Sequence, residues 1–260
     1  SIAKHLGRDY PVGQIVWARY AASLVPIGLY AAGAGRLRTM WATRRPDLQV
    51  ARAAFVLLST YLVFAALKSI ALAHVTSIIF ISPILVALLA VMLLGETMTT
   101  LRWVAVLLGF AGALLIIRPG FEGFSWIMLM PLAAAFTRAA YVLTTRALGG
   151  FDDPFTTLLY SAVIGTAVSS VTLLFGWRSP DAIGGALMAL LGLLGAVSHF
   201  MMIRAYALAP SSALAPFTYA ELAWSVFFGI VLFGEHPDAA TLAGVAIIIA
   251  SGMIVIRTGR

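Results

Sequence analysis

The chain has 260 residues, 62% of them hydrophobic and 10% charged, with a formal net charge of +7 and no cysteine. A soluble domain is about 45–50% apolar and about 25% charged, so this composition excludes an ordinary water-soluble globule and points to a polytopic membrane protein. The lack of cysteine excludes disulfides, thiolate metal sites and cysteine nucleophiles, and His5, His74, His199 and His236 have no metal-ligand spacing.

In chain order, the opening "SIAKHLG" reads as the tail of an apolar helix, so an upstream span is expected; no cleavable signal is visible. Apolar runs follow at 12–34, 50–70, 74–94, 101–117, 124–147, 155–175, 184–207, 212–233 and 240–256. A helix needs about 20 apolar residues to span a bilayer, and each run is predicted to be one. Barrel strands would alternate apolar and polar residues, whereas these runs are continuously apolar, and helices satisfy their own backbone groups in lipid.

The connections are short, with turn or cap chemistry in "LGETMTTLR", "IRPGFEGFS" and "GGFDDP". The longest, from Arg36 to Arg52, carries Arg36, Arg38, Arg44, Arg45 and Arg52 against Asp47 alone. The positive-inside rule puts it in the cytoplasm. Alternation then places Arg102, Arg146, Arg204, Arg257 and Arg260 inside, and Lys4, Arg8, Lys68, Arg118 and Arg178 outside. The C-terminus is expected to be cytoplasmic, and restoring the upstream helix gives ten spans.

Arg19, Arg138 and Glu221 fall inside predicted spans. A charge at the bilayer centre costs about 2.5–3.5 kcal/mol on insertion scales, so such residues face a cavity or a partner. Glu221 sits near the midplane of its run, where it could hold a cationic substrate group, carry a coupling proton, or form a fixed salt bridge with Arg19 or Arg138. Arg19 and Arg138 could grip a substrate carboxylate or phosphate; alternatively Arg19 pairs structurally and Arg138 snorkels to the interface. Aromatic residues share these depths: Trp17 and Tyr20 flank Arg19, Tyr219 and Trp224 flank Glu221 with Phe217 on the same run, and Tyr61, Tyr141 and Tyr160 lie on other spans. On a cavity wall they suit a flat ring or a cationic centre; elsewhere they are core or lipid-facing. His199 is either a hydrogen-bonded core residue or a proton relay. Pro83 and Pro216 interrupt their helices, which makes Ser77, Ser82 and Thr218 candidate polar contacts. Glu96 and Glu235 follow glycine at helix ends and read as caps or turn formers. The stripe Ala105, Gly109 and Ala113 allows close helix packing, inside the protein or at a dimer face.

The two halves repeat. Leu93–Gly120, "LLGETMTTLRWVAVLLGFAGALLIIRPG", aligns with Leu232–Gly259, "LFGEHPDAATLAGVAIIIASGMIVIRTG", and "KSIALA" with "RAYALA". The alignment makes Ser82 the counterpart of Glu221. Five helices per repeat, an odd number, turn the second copy upside down, the architecture of many secondary carriers. The domains expected are repeats at 1–120 and 121–260.

The same segments resemble the ends of two EamA repeats: "SIIFISPILVALLAVMLLGETMTTLRWVAVLLGFAGALLIIRPG" the first, and "ALAPSSALAPFTYAELAWSVFFGIVLFGEHPDAATLAGVAIIIASGMIVIRTG" the second. Nearly the whole chain resembles the ten-helix EamA carriers of the drug/metabolite transporter superfamily. The resemblance implies an all-α 5+5 inverted-repeat fold, a central cavity and alternating-access movement of a small organic metabolite across the bacterial inner membrane. "PFTYAELAWS" is similar to a branch with uptake carriers for S-adenosylmethionine and vitamins. No catalytic signature transfers.

A secondary carrier, proton-coupled or exchanging, therefore competes with an intramembrane enzyme and with a passive channel or scaffold. An enzyme needs a nucleophile–base pair or metal cluster, a channel a recognisable filter, and neither is evident in the sequence. Uptake and efflux both fit. The expected partners are a small-molecule metabolite and the lipid bilayer, without nucleic acid or cofactor, in a monomer or weak homodimer.

Overall fold

The computed structural model describes residues 2–82, 84–86, 89, 100–117, 125–149, 151–208, 224 and 227–258. Among these the regular structure is helical, with no strand. In chain order the helices are α1 (Ile2–Leu6), α2 (Val12–Gly33), α3 (Pro46–Leu67), α4 (Leu72–Ile79), α5 (Thr100–Ile117), α6 (Leu129–Leu148), α7 (Pro154–Thr172), α8 (Ala182–Leu208) and α9 (Ala239–Thr258). Residues 227–233 are also helical. Five stretches among the described residues are long and apolar enough to cross a bilayer: Val12–Gly33, Pro46–Leu67, Trp126–Leu148, Pro154–Phe175 and Ala182–Ala205. The chain is an all-helical, multi-pass membrane protein.

Helix ends follow local chemistry. Asp153 caps α7 by accepting from the Phe155 N–H at 2.8 Å, and Pro154 occupies the first turn, where its missing donor costs nothing. Helix α3 begins at Pro46, earlier than the expected 50, because proline suits a first helical position and Asp47 favours the positive helix end. Gln49 and Arg52 consequently belong to a helix instead of a loop.

The chain divides into two compact units, each drawing on both halves of the sequence: Ile2–Phe64 with Thr144–Ala209, and Ala65–Leu143 with Pro210–Arg260. In the first, α2 packs along both α7 and α8. Tyr10 lies at Gly184, Arg19 at Gly192, and Ile27 clusters with Ile203, so α2 and α8 run parallel. Gly13 lies at Thr172 and Tyr30 stacks on Phe155 at 3.7 Å, so α7 runs antiparallel to α2. Apolar burial gives no drive where lipid is equally apolar; close packing and interhelical hydrogen bonds hold such helices together. Small residues supply the closeness here. A Cβ on Gly192 would stand 2.8 Å from the Arg19 carbonyl oxygen, and one on Gly165 would stand 2.5 Å from the Tyr20 ring.

In the second unit, α5 and α9 pack antiparallel. A Cβ on Gly112 would stand 2.9 Å from the Gly244 carbonyl oxygen and 2.9 Å from Ile248, and one on Gly109 would stand 3.1 Å from Ser251 Oγ. Gly109 thus packs inside the protein. The apolar core joins Ile78, Ile81, Leu85, Ile116, Ala139 and Ile248. Glu235 follows Gly234, whose φ of 66° suits glycine, and its Oε2 accepts from the Leu72 N–H at 2.8 Å. That acid serves the start of α4, as its place after glycine suggested. His74 Nε2 meets Thr241 Oγ1 at 2.7 Å.

Candidate functional site

A polar seam runs through the apolar helices of the first unit. Its parts sit at helical spacing: Gln49, Arg52 and Thr60 share one face of α3, and Thr157, Ser161, Gly165 and Ser169 recur every fourth residue of α7. All of these residues are buried.

Arg52 is 1% exposed, an unusual state for a cation. Its Nε donates to Thr145 Oγ1 at 2.9 Å, and its NH1 donates to the Thr157 carbonyl at 3.2 Å and to Ser161 Oγ. One planar guanidinium therefore ties α3 to α6 and α7. One turn earlier, Gln49 Nε2 donates to Asp152 Oδ2 at 2.8 Å and to Thr157 Oγ1 at 3.1 Å. Asp152 also accepts from Thr43 Oγ1 at 2.5 Å and from the Arg44 N–H at 3.0 Å. Partial burial pushes the Asp152 carboxyl up, but the donors Thr43, Arg44 N–H and Gln49 outweigh it and hold the group below its ordinary value.

Further along the seam, Arg19 NH2 donates to His199 Nε2 at 2.7 Å and NH1 to Thr60 Oγ1 at 3.4 Å. Arginine only donates, so this imidazole nitrogen accepts, and the ring proton sits on Nδ1. The Arg19 guanidinium also lies 4.8 Å from the centre of the Tyr20 ring. Thr60 Oγ1 meets Tyr20 Oη at 3.2 Å while donating to the Val56 carbonyl at 2.7 Å. Gly195 makes room for Arg19, since a Cβ there would stand 3.3 Å from its Nε. Toward the start of α2, Trp17 Nε1 donates to Ser170 Oγ at 3.0 Å and Tyr61 Oη meets Thr172 Oγ1 at 3.0 Å.

Arg19, Arg52, Tyr20, Ser23, Ser161 and His199 line one small cavity. The space in it open to water centres is about 20 Å³, enough for about one water molecule. No carboxylate lines it among the described residues.

Of the residues singled out from sequence, Arg19, Tyr20 and His199 therefore meet at this cavity, and Trp17 and Tyr61 lie along the same seam. Ser82, Arg138, Tyr141 and Trp224 belong to the second unit. Ser82 and Tyr141 are buried, Arg138 is half-buried, and Trp224 is 58% exposed with Phe227 and Phe228 beside it. Glu221, Tyr219, Phe217, Thr218, Pro216, Pro83 and Glu96 lie outside the described residues. Sequence reasoning missed Arg52, Gln49, Thr60 and Ser161. Arg52 was counted as a loop charge, although its spacing from Gln49 and Thr60 places all three on one helical face.

Comparison with known proteins gives the family. The EamA-like transporter family matches residues 1–118 and 124–257. A riboflavin transporter of Rhizobium johnstonii is 30% identical over 74% of this chain, and the match spans 64% of that relative, just under two thirds of its length. An S-adenosylmethionine uptake transporter of Rickettsia bellii is 28% identical over 100% of this chain and 88% of its own length. A protein crystal structure superposes with a TM-score of 0.69 at 19% identity, covering 97% of this chain and 90% of the other, which supports the fold. With two matched copies across most of its length, the chain belongs to the EamA-like transporter family.

Proposed function

We propose that the protein is a secondary active carrier that takes up a small organic metabolite across the bacterial inner membrane by alternating access. The observation that carries this reading is the buried polar seam, in which Arg19, Tyr20 and His199 meet at a cavity inside apolar helices and Thr60 bonds to both Arg19 and Tyr20. Holding such groups in lipid is costly unless they serve a pathway or a ligand. Two repeats, 1–120 and 121–260, inverted with respect to each other, would give inward-open and outward-open states of similar energy. The C-terminus is then cytoplasmic. Relatives named for riboflavin and S-adenosylmethionine favour uptake of a metabolite with a nitrogen-containing ring. Tyr20, Trp17 and Tyr61 would stack on that ring. Glu221 carries the coupling proton or pairs with a cationic group of the substrate.

The test is uptake of labelled riboflavin and labelled S-adenosylmethionine into proteoliposomes, with and without an imposed pH gradient. Saturable uptake of one compound, reduced at least about tenfold in Glu221→Gln, supports the reading. Uptake of neither compound above that of protein-free vesicles contradicts it.

A further inference from the structure

We propose that the open cavity between the loop after α2 and the loop before α7 binds a phosphatidylethanolamine headgroup, its phosphate beside Arg44 and Arg36 and its ammonium beside Asp153. The inference goes beyond the carrier reading and does not depend on which solute is carried.

Tyr30, Arg36, Arg44, Phe151, Asp152 and Asp153 stand on the walls of this cavity, which leaves about 220 Å³ open to water centres. One water needs about 10–15 Å³ of such space, so a phosphate ester with a short amine arm fits. Two cations and two anions line it. The cavity is therefore neutral as a whole, and it favours a ligand that carries both signs over a simple anion. These charges are not all spent on one another. The Arg44 side chain is exposed and makes no hydrogen bond or ion pair among the described residues, although its charge acts on Asp152. Arg36 NH1 reaches Asp153 Oδ2 at 3.3 Å, with both side chains open to solvent. Asp153 accepts from Arg36 and from the Phe155 N–H, which leaves part of the roughly four acceptor positions of an ionised carboxylate open. Asp152 is more fully used, by Thr43, the Arg44 N–H and Gln49. The ammonium therefore goes to Asp153. Arginine–phosphate bonds are charge-assisted and belong to the stronger hydrogen bonds.

The surroundings favour a lipid over a soluble ester. The cavity lies past the last turn of the apolar stretch Val12–Gly33 and at the first turn of Pro154–Phe175, the depth at which headgroups sit. Leu37, Trp41 and Phe151 are exposed among the arginines, and tryptophan at a span end is an anchor at headgroup level. On α2, Val25 and Leu29 stand one turn apart and are both exposed. They lead from the level of Tyr30 into the apolar part of the helix and give an acyl chain a surface to lie on.

Native mass spectrometry of the purified full chain, released from detergent, counts bound lipid during titration with phosphatidylethanolamine, phosphatidylcholine and phosphatidylglycerol of the same acyl chains. The wild type should take one phosphatidylethanolamine about tenfold more tightly than either other lipid. The methylated amine of phosphatidylcholine cannot donate to Asp153, and phosphatidylglycerol has no cation. Arg44→Gln should weaken the binding about tenfold. Asp153→Asn keeps a good capping residue on α7 and should remove the preference over phosphatidylcholine. Equal binding of the three lipids by the wild type overturns the proposal, and so does tighter binding of phosphatidylglycerol, the mark of a plain basic patch. Unchanged binding by Arg44→Gln, at an exposed position where folding is not at risk, overturns it as well. Full displacement of the lipid by O-phosphoethanolamine at equal concentration would make the occupant a soluble metabolite and would also overturn it. Should Asp153→Asn not fold, the three-lipid comparison and the Arg44→Gln titration decide. Lipid binding is read without transport, so a chain that binds the headgroup but moves neither riboflavin nor S-adenosylmethionine would fail the carrier reading alone.

Discussion

Gly112 of α5 and Gly244 of α9 meet where their helices cross, so closely that a Cβ on Gly112 would stand 2.9 Å from the Gly244 carbonyl oxygen. The sequence alignment of the repeats maps Gly109 onto Ile248 and Gly112 onto Ser251. The contacts Gly109 with Ser251 and Gly112 with Ile248 are therefore exchanged by the repeat relation. A pair of equivalent helices that run antiparallel and share such reciprocal contacts is related by a pseudo-twofold axis. That is the local geometry an inverted repeat requires.

Gly112→Ala should lower thermal stability by about 1–3 kcal/mol, because the new methyl group must push apart two backbones. Gly28→Ala is the control. Nothing lies within 4 Å of a Cβ at that position, and alanine favours the helix by about 1 kcal/mol over glycine. Unfolding of both variants in detergent measures the difference. Equal stability of the two would show that the α5–α9 crossing is looser than described.

Arg52→Lys should destabilise the protein by about 1–3 kcal/mol despite keeping its charge. A lysine ammonium cannot reach Thr145, Ser161 and the Thr157 carbonyl together in the planar arrangement Arg52 uses. Chemical unfolding followed by tryptophan fluorescence gives the number. A lysine variant as stable as the wild type would mean that charge alone matters at this position.

Glu235→Ala should cost about 1 kcal/mol, the usual loss when a helix start gives up a side-chain acceptor. Its carboxylate serves the Leu72 N–H, so substrate affinity should be unaffected. Stability and transport are measured on the same preparation. A raised KM with unchanged stability would assign Glu235 to the substrate path instead.

The Asp152 carboxyl is held below its ordinary value by donors from Thr43, the Arg44 N–H and Gln49, against the opposing effect of burial. A depressed carboxylate contributes stability above its unfolded pKa and loses that contribution as pH falls through its folded pKa. The loop between α2 and α3 should therefore loosen on acidification below about pH 4. The group is only partly shielded from solvent, so the effect should be modest. Protease sensitivity of the loop between pH 7 and pH 3, in wild type and Asp152→Asn, tests this. The variant should show raised sensitivity at neutral pH and a flatter profile.

Much of this molecule was legible in the sequence, for reasons specific to lipid. Long apolar runs can only be helices there, and α2, α7 and α8 lie close to the runs expected at 12–34, 155–175 and 184–207. Arg19 stood out because a charge inside such a run needs a partner, and it has His199 and Thr60. Arg52 did not stand out. It lies beside a basic loop, and where a helix enters the bilayer is set by a single cap, here Pro46, so a charge near the boundary reads as solvated. Thr60 and Ser161 were hidden for another reason: hydroxyls are common in apolar helices, and only packing shows which ones meet a guanidinium. The way α2 pairs with α7 and α8 from the other half was also beyond the pattern, since periodicity marks a face and not its neighbour.

The most direct test of the carrier account is counterflow in proteoliposomes. Vesicles are loaded with unlabelled riboflavin, or with S-adenosylmethionine, and diluted into a trace of the same labelled compound. Alternating access predicts a transient accumulation of label above its equilibrium level, abolished in Glu221→Gln and reduced in Arg19→Gln. Label that only equilibrates, at a rate indifferent to what is loaded inside, would contradict it and indicate a passive pore.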